Sequence, residues 1–224
     1  MPEPDETLAF ATPAGGWKVP RCSNPAYPFP DRLDTFVNST GDELLMLRVR
    51  DGEVEKLGIL YERYRDPLFN FFVRLTGSPS LSEDLVHDVF LRMLKYRHTF
   101  ETGKVFRTWM YQVARNAQID SWRIRQHEIS LEGAGAESWE ALASHDSSPD
   151  FSLRQRQEMN LLQRALAELP FESREVLVLG RFQKLKYEEI ARVLDCSVSA
   201  VKMRVHRALE ELKERFRHLS KEKL

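Results

Sequence analysis

A chain of 224 residues has room for one large domain or two small ones, at roughly 100–200 residues each. Its 42% apolar and 30% charged residues are the balance of a soluble globular protein. No apolar run nears the ~18 residues that a bilayer span needs, so no membrane insertion is expected. No basic stretch followed by an apolar one opens the chain, which argues against a secretory signal. Cys22 and Cys196 stand far apart and fit no metal spacing, which excludes a disulfide framework and points to a reducing compartment, the cytoplasm. The net charge of −1, from 33 basic and 34 acidic residues, argues against a simple polycationic nucleic-acid binder. The charges, however, are segregated along the chain.

Residues 1–38 read as a disordered, proline-rich arm. Pro2, Pro4, Pro13, Pro20, Pro25, Pro28 and Pro30 are seven of the eleven prolines, and such a stretch holds no helix. Helical periodicity begins near Thr40, where Thr40 and Glu43 have capping-box spacing. After the Asp51-Gly52 interruption, a second stripe carries Val54, Leu57, Leu60, Tyr64, Leu68, Phe71, Phe72 and Leu75 and ends at Thr76-Gly77. Pro67 inside it predicts a kink. Ser80 and Glu83 predict the cap of a third helix carrying Leu85, Val86, Val89, Phe90, Met93 and Leu94. A loop from about Arg97 to Lys104 leads to a fourth helix, about Val105 to Arg125. No segment alternates with period two, and no internal repeat is found.

From residue 128 to residue 152 the composition is that of a linker, rich in serine, glycine and acids and free of Lys and Arg. Helical pattern returns over Leu153–Leu169, and Pro170 opens a further helix through Arg181. Two more follow, about Tyr187–Leu194 and Ser199–Phe216. The fold class is therefore all-α: two small helical domains, 39–127 and 153–219, joined by a flexible acidic linker, 128–152.

From Arg181 to Lys223 there are twelve Lys/Arg and seven Asp/Glu. Within that basic segment, Tyr187–Leu194, the turn Asp195-Cys196-Ser197-Val198 and the helix from Ser199 have helix-turn-helix proportions. Val201, Val205, Ala208, Leu212 and Phe216 fall on one face of the last helix. Ser199, Lys202, Met203, His206 and Arg207 fall on the other, with Arg204 toward the flank. One face anchors such a helix while the other offers long side chains to base edges in a major groove. A solvated basic face on an ordinary helical hairpin is the competing reading. The turn and the small Ala191, where the two helices must approach closely, favour DNA.

The fourth helix mixes aromatic and basic residues, with five cations and one acid from Lys104 to Arg125. Phe106, Trp109, Met110, Val113, Ala117 and Ile124 are the expected core face. Arg107, Tyr111, Gln112, Arg115, Asn116, Ile119 and Trp122 are the expected outer face. Exposed rings between cations suit unstacked bases, because any base can stack while the cations track phosphates. On the third helix Glu83, Asp84, His87 and Asp88 lead to Leu91 and Arg92. The helix dipole explains the first two acids, and Asp88, beyond the first turn, leaves a protein-docking surface open. No catalytic constellation, Gly-rich phosphate loop or metal-ligand spacing is present, so neither enzyme activity nor a cofactor is expected.

Three stretches in order resemble the sigma-70 family, specifically its small two-domain extracytoplasmic-function (ECF) type. Ser82–Leu91 is similar to the polymerase-docking helix of region 2.2, and Phe106–Asn116 through Asp120 to the promoter-melting and −10-reading helix of regions 2.3 and 2.4. Leu185–Ala191 with Ala200–Ala208 is similar to the −35-reading region 4.2. The sequence departs from the family pattern at His87, usually Gln; at Lys186, usually Ser or Thr; at Lys184 and Asp195, frequently Gly; and at Ala200, frequently Thr.

The resemblance implies a sigma factor that directs promoter-specific initiation without catalysis of its own. Its partners would be the bacterial RNA polymerase core, at the clamp helices of the largest subunit and at the flap, promoter DNA both duplex and melted, and an anti-sigma factor. Polymerase contact is implied for Glu83, Asp84, His87, Asp88, Leu91 and Arg92. Contact with the −10 element is implied for Phe100, Lys104, Arg107, Gln112, Arg115, Asn116, Trp122 and Arg123, with the Arg97–Lys104 loop capturing a flipped base. Contact with the −35 element is implied for Tyr187, Ser199, Lys202, Met203, Arg204, His206 and Arg207. A stand-alone helix-turn-helix regulator is the alternative, although it leaves the aromatic-basic helix without a task.

Overall fold

A computed structural model describes residues 41–132 and 153–221, all of whose regular elements are helical. The proline-rich arm, Thr40 and residues 133–152 of the acidic linker lie outside the described residues. Helix α1 spans Gly41–Arg50. Its Glu43 serves another helix, accepting a 3.0 Å hydrogen bond from the Phe106 backbone N–H. Helix α2, Lys56–Thr76, continues through Pro67 and ends at Gly77, whose φ of 76° suits a residue without a Cβ.

Helix α3 spans Pro79–Lys95 and corrects the expected cap. Its N-cap is Ser78, whose Oγ accepts from the Leu81 N–H at 3.3 Å, and not Ser80. Pro79 explains the shift: with φ preset and no N–H to satisfy, proline fits the first helical position, so the cap falls one residue earlier. A short tight turn, Arg97–Thr99, and an open loop lead to helix α4, Phe106–Glu132. It outruns the expected end at Arg125, since no helix breaker occurs before Gly133.

In the C-terminal half, α5 spans Leu153–Ala167 and α6 spans Phe171–Leu177, directly after Pro170. The chain then widens its winding over Val178–Phe182, where the Gln183 N–H reaches back five residues to Val178 O at 3.0 Å. Helices α7, Tyr187–Val193, and α8, Val198–Lys221, complete the fold. α8 also outruns its expected end at Phe216, because Leu219 is buried with Leu161 and Ala165 of α5.

Phe71, Phe72, Phe100, Phe106, Met110 and Tyr111 are fully buried among α1–α4. Edge-to-face ring pairs, such as Phe71–Tyr111 at 5.2 Å and Phe100–Trp109 at 5.3 Å, order that core. The described helices lie within one compact unit, Arg32–Leu224. A single apolar cluster runs from Met46 and Phe71 to Val178, Ile190, Val205 and Ala208. The N-terminal and C-terminal helices are thus packed against one another.

Three expected placements are overturned. Tyr111 is buried instead of outward-facing, because the C-terminal segment covers its side of α4. Ile124, expected in the core, is 60% exposed, one turn past Asp120, where Arg92 of α3 is bound. Phe100 is not a surface residue of its loop, since it packs under Trp109 and Phe106 and is 1% exposed.

Candidate nucleic-acid interface and docking surface

The α7–α8 turn is built by local chemistry. Asp195 adopts φ 51°. The Cys196 N–H then reaches Ala191 O at 2.9 Å and the Asp195 N–H reaches Arg192 O at 3.4 Å, the paired bonds of a Schellman cap. Ser197 caps α8 by accepting from the Ala200 N–H at 3.1 Å. At the start of α7 the Glu189 carboxylate accepts from the Lys186 N–H at 2.7 Å. This half of a capping box needs no side-chain oxygen at position 186. Lys184, where the family frequently has Gly, also lies in the left-handed region, with φ 55°.

This turn presents α8 as expected. Val201, Val205 and Ala208 are buried, while Ser199, Lys202, Met203, His206 and Arg207 are exposed on the other side. Met203, an apolar residue in a basic row, is 57% exposed, and Tyr187 adds an exposed ring at 37%. Arg204 is half-buried at the flank.

On α4 the expected reading residues divide into two groups. Trp122 is 56% exposed, with Arg123 beside it and its side chain 72% exposed. Asn116 is half-buried, and Lys104 pairs with Glu101 at 3.2 Å. Arg107, Gln112 and Arg115 instead bond to the C-terminal helices. Arg107 Nη2 donates to Gln183 O at 2.5 Å and Gln112 Nε2 to Arg192 O at 2.8 Å. Arg115 Nε lies 3.0 Å from Glu175 Oε1. The Tyr111 hydroxyl donates to Gln183 Oε1 at 2.7 Å, and Gln183 Nε2 donates to Pro67 O at 3.3 Å.

Glu175 is almost wholly buried, its side chain 3% exposed. Burial pushes its carboxyl above the ordinary value, against the opposing pull of Arg115 and, at longer range, Arg204. Sequence reasoning did not single out Glu175, Gln183 or Arg174. The available signal was a charge inside the apolar run Val176-Leu177-Val178-Leu179 and its flanks, which requires a buried partner.

On α3, Glu83, Asp84 and His87 are exposed, and Leu91 is 67% exposed. His87 Nδ1 lies 2.9 Å from the Glu83 carbonyl one turn back. Asp88 and Arg92 have a further task. Arg92 Nε meets Asp88 Oδ2 at 2.9 Å, and its Nη1 meets Asp120 Oδ2 of α4 at 2.6 Å. Burial opposes the charge on Arg92, but the two carboxylates outweigh it and raise its pKa. Asp88 is thus explained by a bridge between helices. Among the described residues no group of acids, cysteines and histidines could hold a metal, and no helix is long and apolar enough to cross a membrane.

Residues 60–128 match the family model for Sigma-70 region 2, and residues 159–212 match that for Sigma-70, region 4. The RNA polymerase sigma factor CarQ of Myxococcus xanthus is 31% identical over 75% of this chain and 94% of its own length. This chain belongs to the sigma-70 family. The ECF RNA polymerase sigma factors SigW and SigX of Bacillus subtilis are 27% and 29% identical, over 95% and 87% of their lengths. Among solved structures, the sigma factor RpoE of Bartonella quintana, in complex with the anti-sigma factor NepR, matches with a TM-score of 0.61. That match has 24% identity and covers 71% of this chain and 96% of that one, a likeness of fold. As an ECF-type sigma factor the chain directs promoter-specific initiation by RNA polymerase, and it is not an enzyme.

Proposed function

We propose that this sigma factor divides its work among three surfaces carried by two functional segments, 39–127 and 153–219. The exposed strip Glu83, Asp84, His87 and Leu91 on α3 docks on the clamp helices of the largest polymerase subunit, and Asp88 and Arg92 shape that strip from behind. Residues of α4, with Trp122 and Arg123 already at the surface, read and hold the melted −10 strand. The outer face of α8, with Tyr187, reads the −35 duplex while the C-terminal segment rests on the polymerase flap. The acidic linker 128–152 threads the polymerase channel between them. An anti-sigma factor is the regulatory partner expected of such a chain, and the cytoplasm, where RNA polymerase works, is its compartment.

The observation that carries this reading is the outward row on α8. Lys202, Met203, His206 and Arg207 stand exposed on a helix whose opposite side is anchored by Val201, Val205 and Ala208. Lys202 and Arg207 can donate to guanine edges, and Met203 can meet a thymine methyl. Promoter selection from a library randomised at −35, with wild-type and variant holoenzymes, tests it. Lys202→Ala and Arg207→Ala should relax preference at particular positions. Arg204→Ala should weaken all sequences alike and flatten the salt dependence. Selection of the wild-type motif by both Lys202→Ala and Arg207→Ala would refute the assignment.

A further inference from the structure

Helix α4 begins at Phe106, and Val105 before it has no side-chain oxygen with which to cap the first N–H groups. The acceptor comes from α1 instead: Glu43 Oε1 takes the Phe106 N–H at 3.0 Å. At the other end of α1, Arg50 Nη1 donates to Phe100 O at 3.4 Å, while its Nε is held by Asp51 Oδ1 at 2.8 Å. Glu43 and Arg50 stand two helical turns apart, so they share one face of α1. Phe100 and Phe106 are the two stems of the loop that precedes α4. One helix therefore holds both stems.

The support is itself braced. Asp42, next to Glu43, accepts from the Tyr64 hydroxyl at 2.6 Å and from Arg63 Nη1 at 2.5 Å, which ties the first turn of α1 to α2. The Tyr64 ring meets Phe106 edge-on at 5.2 Å, and Phe100 and Phe106 are both buried. Between these stems the chain is open. Glu101, Thr102, Gly103 and Val105 are exposed. A turn closed by the Lys104 N–H on Glu101 O at 3.2 Å, with an ion pair between the same two residues, shapes the tip.

We infer that α1 is the seat of the base-capture loop, with Glu43 and Arg50 as its positioning residues: they fix the two stems and so set where residues 101–105 meet a base drawn out of the −10 strand. The inference rests on the assignment of that loop and of α4 to the −10 element. Neither Glu43 nor Arg50 belongs to the proposed DNA-reading set. Both act through backbone groups of the stems, Glu43 on an N–H and Arg50 on a carbonyl. A base contact depends on its angle and distance, so a loop freed at one stem still folds over the strand but reads it less sharply.

The test selects promoters from a library randomised over −10, with −35 held at the motif that the wild-type holoenzyme selects. Each holoenzyme pairs a full-length variant with core polymerase. Glu43→Ala and Arg50→Ala should each lower base preference at one −10 position by about fivefold or more, the scale of one well-placed base contact. The other positions should stay as in wild type, whereas destabilisation alone would reduce output from every sequence alike. Glu43→Gln keeps an acceptor for the Phe106 N–H and should select the wild-type motif. Arg50→Ala should leave the salt dependence of open-complex formation unchanged, because positioning releases no counterions. Wild-type selection by either alanine variant would overturn the inference. So would a loss spread evenly over all positions, an equal loss in Glu43→Gln, or a flattened salt dependence in Arg50→Ala, which would make Arg50 a phosphate contact. If Glu43→Ala fails to fold, Arg50→Ala decides alone. A Glu101→Gly/Thr102→Gly variant examines the loop itself. If it selects the wild-type motif, the loop captures no base, and the inference falls with that assignment. If it loses the preference while the alanine variants keep theirs, the loop stands and the seating by α1 falls.

Discussion

Replacing Arg174 by alanine strips a donor from the ends of two helices at once. Its guanidinium reaches Leu75 O, one residue before the last of α2, at 2.6 Å, and Leu169 O, just beyond α5, at 3.0 Å. It also reaches Ala167 O, the last residue of α5. The last four carbonyls of a helix have no partner within it, so Leu75 O and Ala167 O each lose a donor from outside their helix, and Leu169 O loses one as well. A hydrogen bond to a charged donor contributes ~1.5–3 kcal/mol net. The three cannot simply be added, because one buried cation supplies them all, and burial itself opposes its charge, lowering its pKa. A loss of about 2–4 kcal/mol is expected for Arg174→Ala. Arg174→Lys should recover less than half, since a single ammonium cannot span carbonyls of two separate helices. Urea unfolding followed by far-ultraviolet circular dichroism measures both. A cost below about 0.5 kcal/mol, the scale of an ordinary surface change, or full recovery by lysine, would show that these carbonyls are satisfied without Arg174.

Charge reversal at the exposed acids of α3, Glu83→Lys with Asp84→Lys, should weaken core polymerase binding by at least about tenfold while leaving the urea midpoint in place; unchanged core affinity in a pull-down titration would remove that surface from docking. Trp122→Ala should impair open-complex formation more than closed-promoter binding, since a base–aromatic stack is worth ~1–3 kcal/mol only once a base is unpaired; permanganate footprinting reads the difference. Lys184→Gly and Asp195→Gly should each stabilise the chain by up to about 1 kcal/mol, because both positions hold a positive φ that glycine adopts freely; a lowered melting temperature would refute this. The carboxyl of Glu175 is raised by burial, with Arg115 and Arg204 opposing and Glu172 adding to the rise. The folded chain therefore binds a proton there that the unfolded chain has released, and stability falls as pH climbs from the ordinary carboxylate range through the raised value. Urea midpoints between about pH 5 and about pH 7 should decline less in Glu175→Gln than in wild type.

The helices and the two-faced first half of α8 were legible because periodicity reports which side of a helix is buried, and over residues 201–208 a single core does the burying. Val201, Val205 and Ala208 turn inward as the stripe requires. The α4 face was misjudged at Tyr111 because it is buried by a segment more than seventy positions away, and periodicity carries no sign of a second cover. The same distance hid Gln183, which meets Tyr111 and the Pro67 carbonyl, and Arg174, which meets the Leu75 carbonyl, pairings that leave no mark in the local sequence. The cap of α3 was misplaced by two residues because Ser78 and Ser80 are equally good acceptors, and Pro79 settles the choice only once its preference for the first helical position is weighed. Lys184 and Asp195 were visible only as departures from a family pattern. Their positive φ explains why glycine is the residue they displace.

Arg92 divides one guanidinium between Asp88 on α3 and Asp120 on α4. In evolutionary terms this makes the two acids mutual insurance. Either can drift to a neutral residue while the other still neutralises the half-buried cation, so each site separately is permissive. Losing both leaves the charge uncompensated, so the second loss is far more costly than the first. Loss of the acid at position 88 therefore leaves Asp120 to neutralise Arg92, even if no partner ever touches position 120. A change on α3 thereby constrains the sequence of α4.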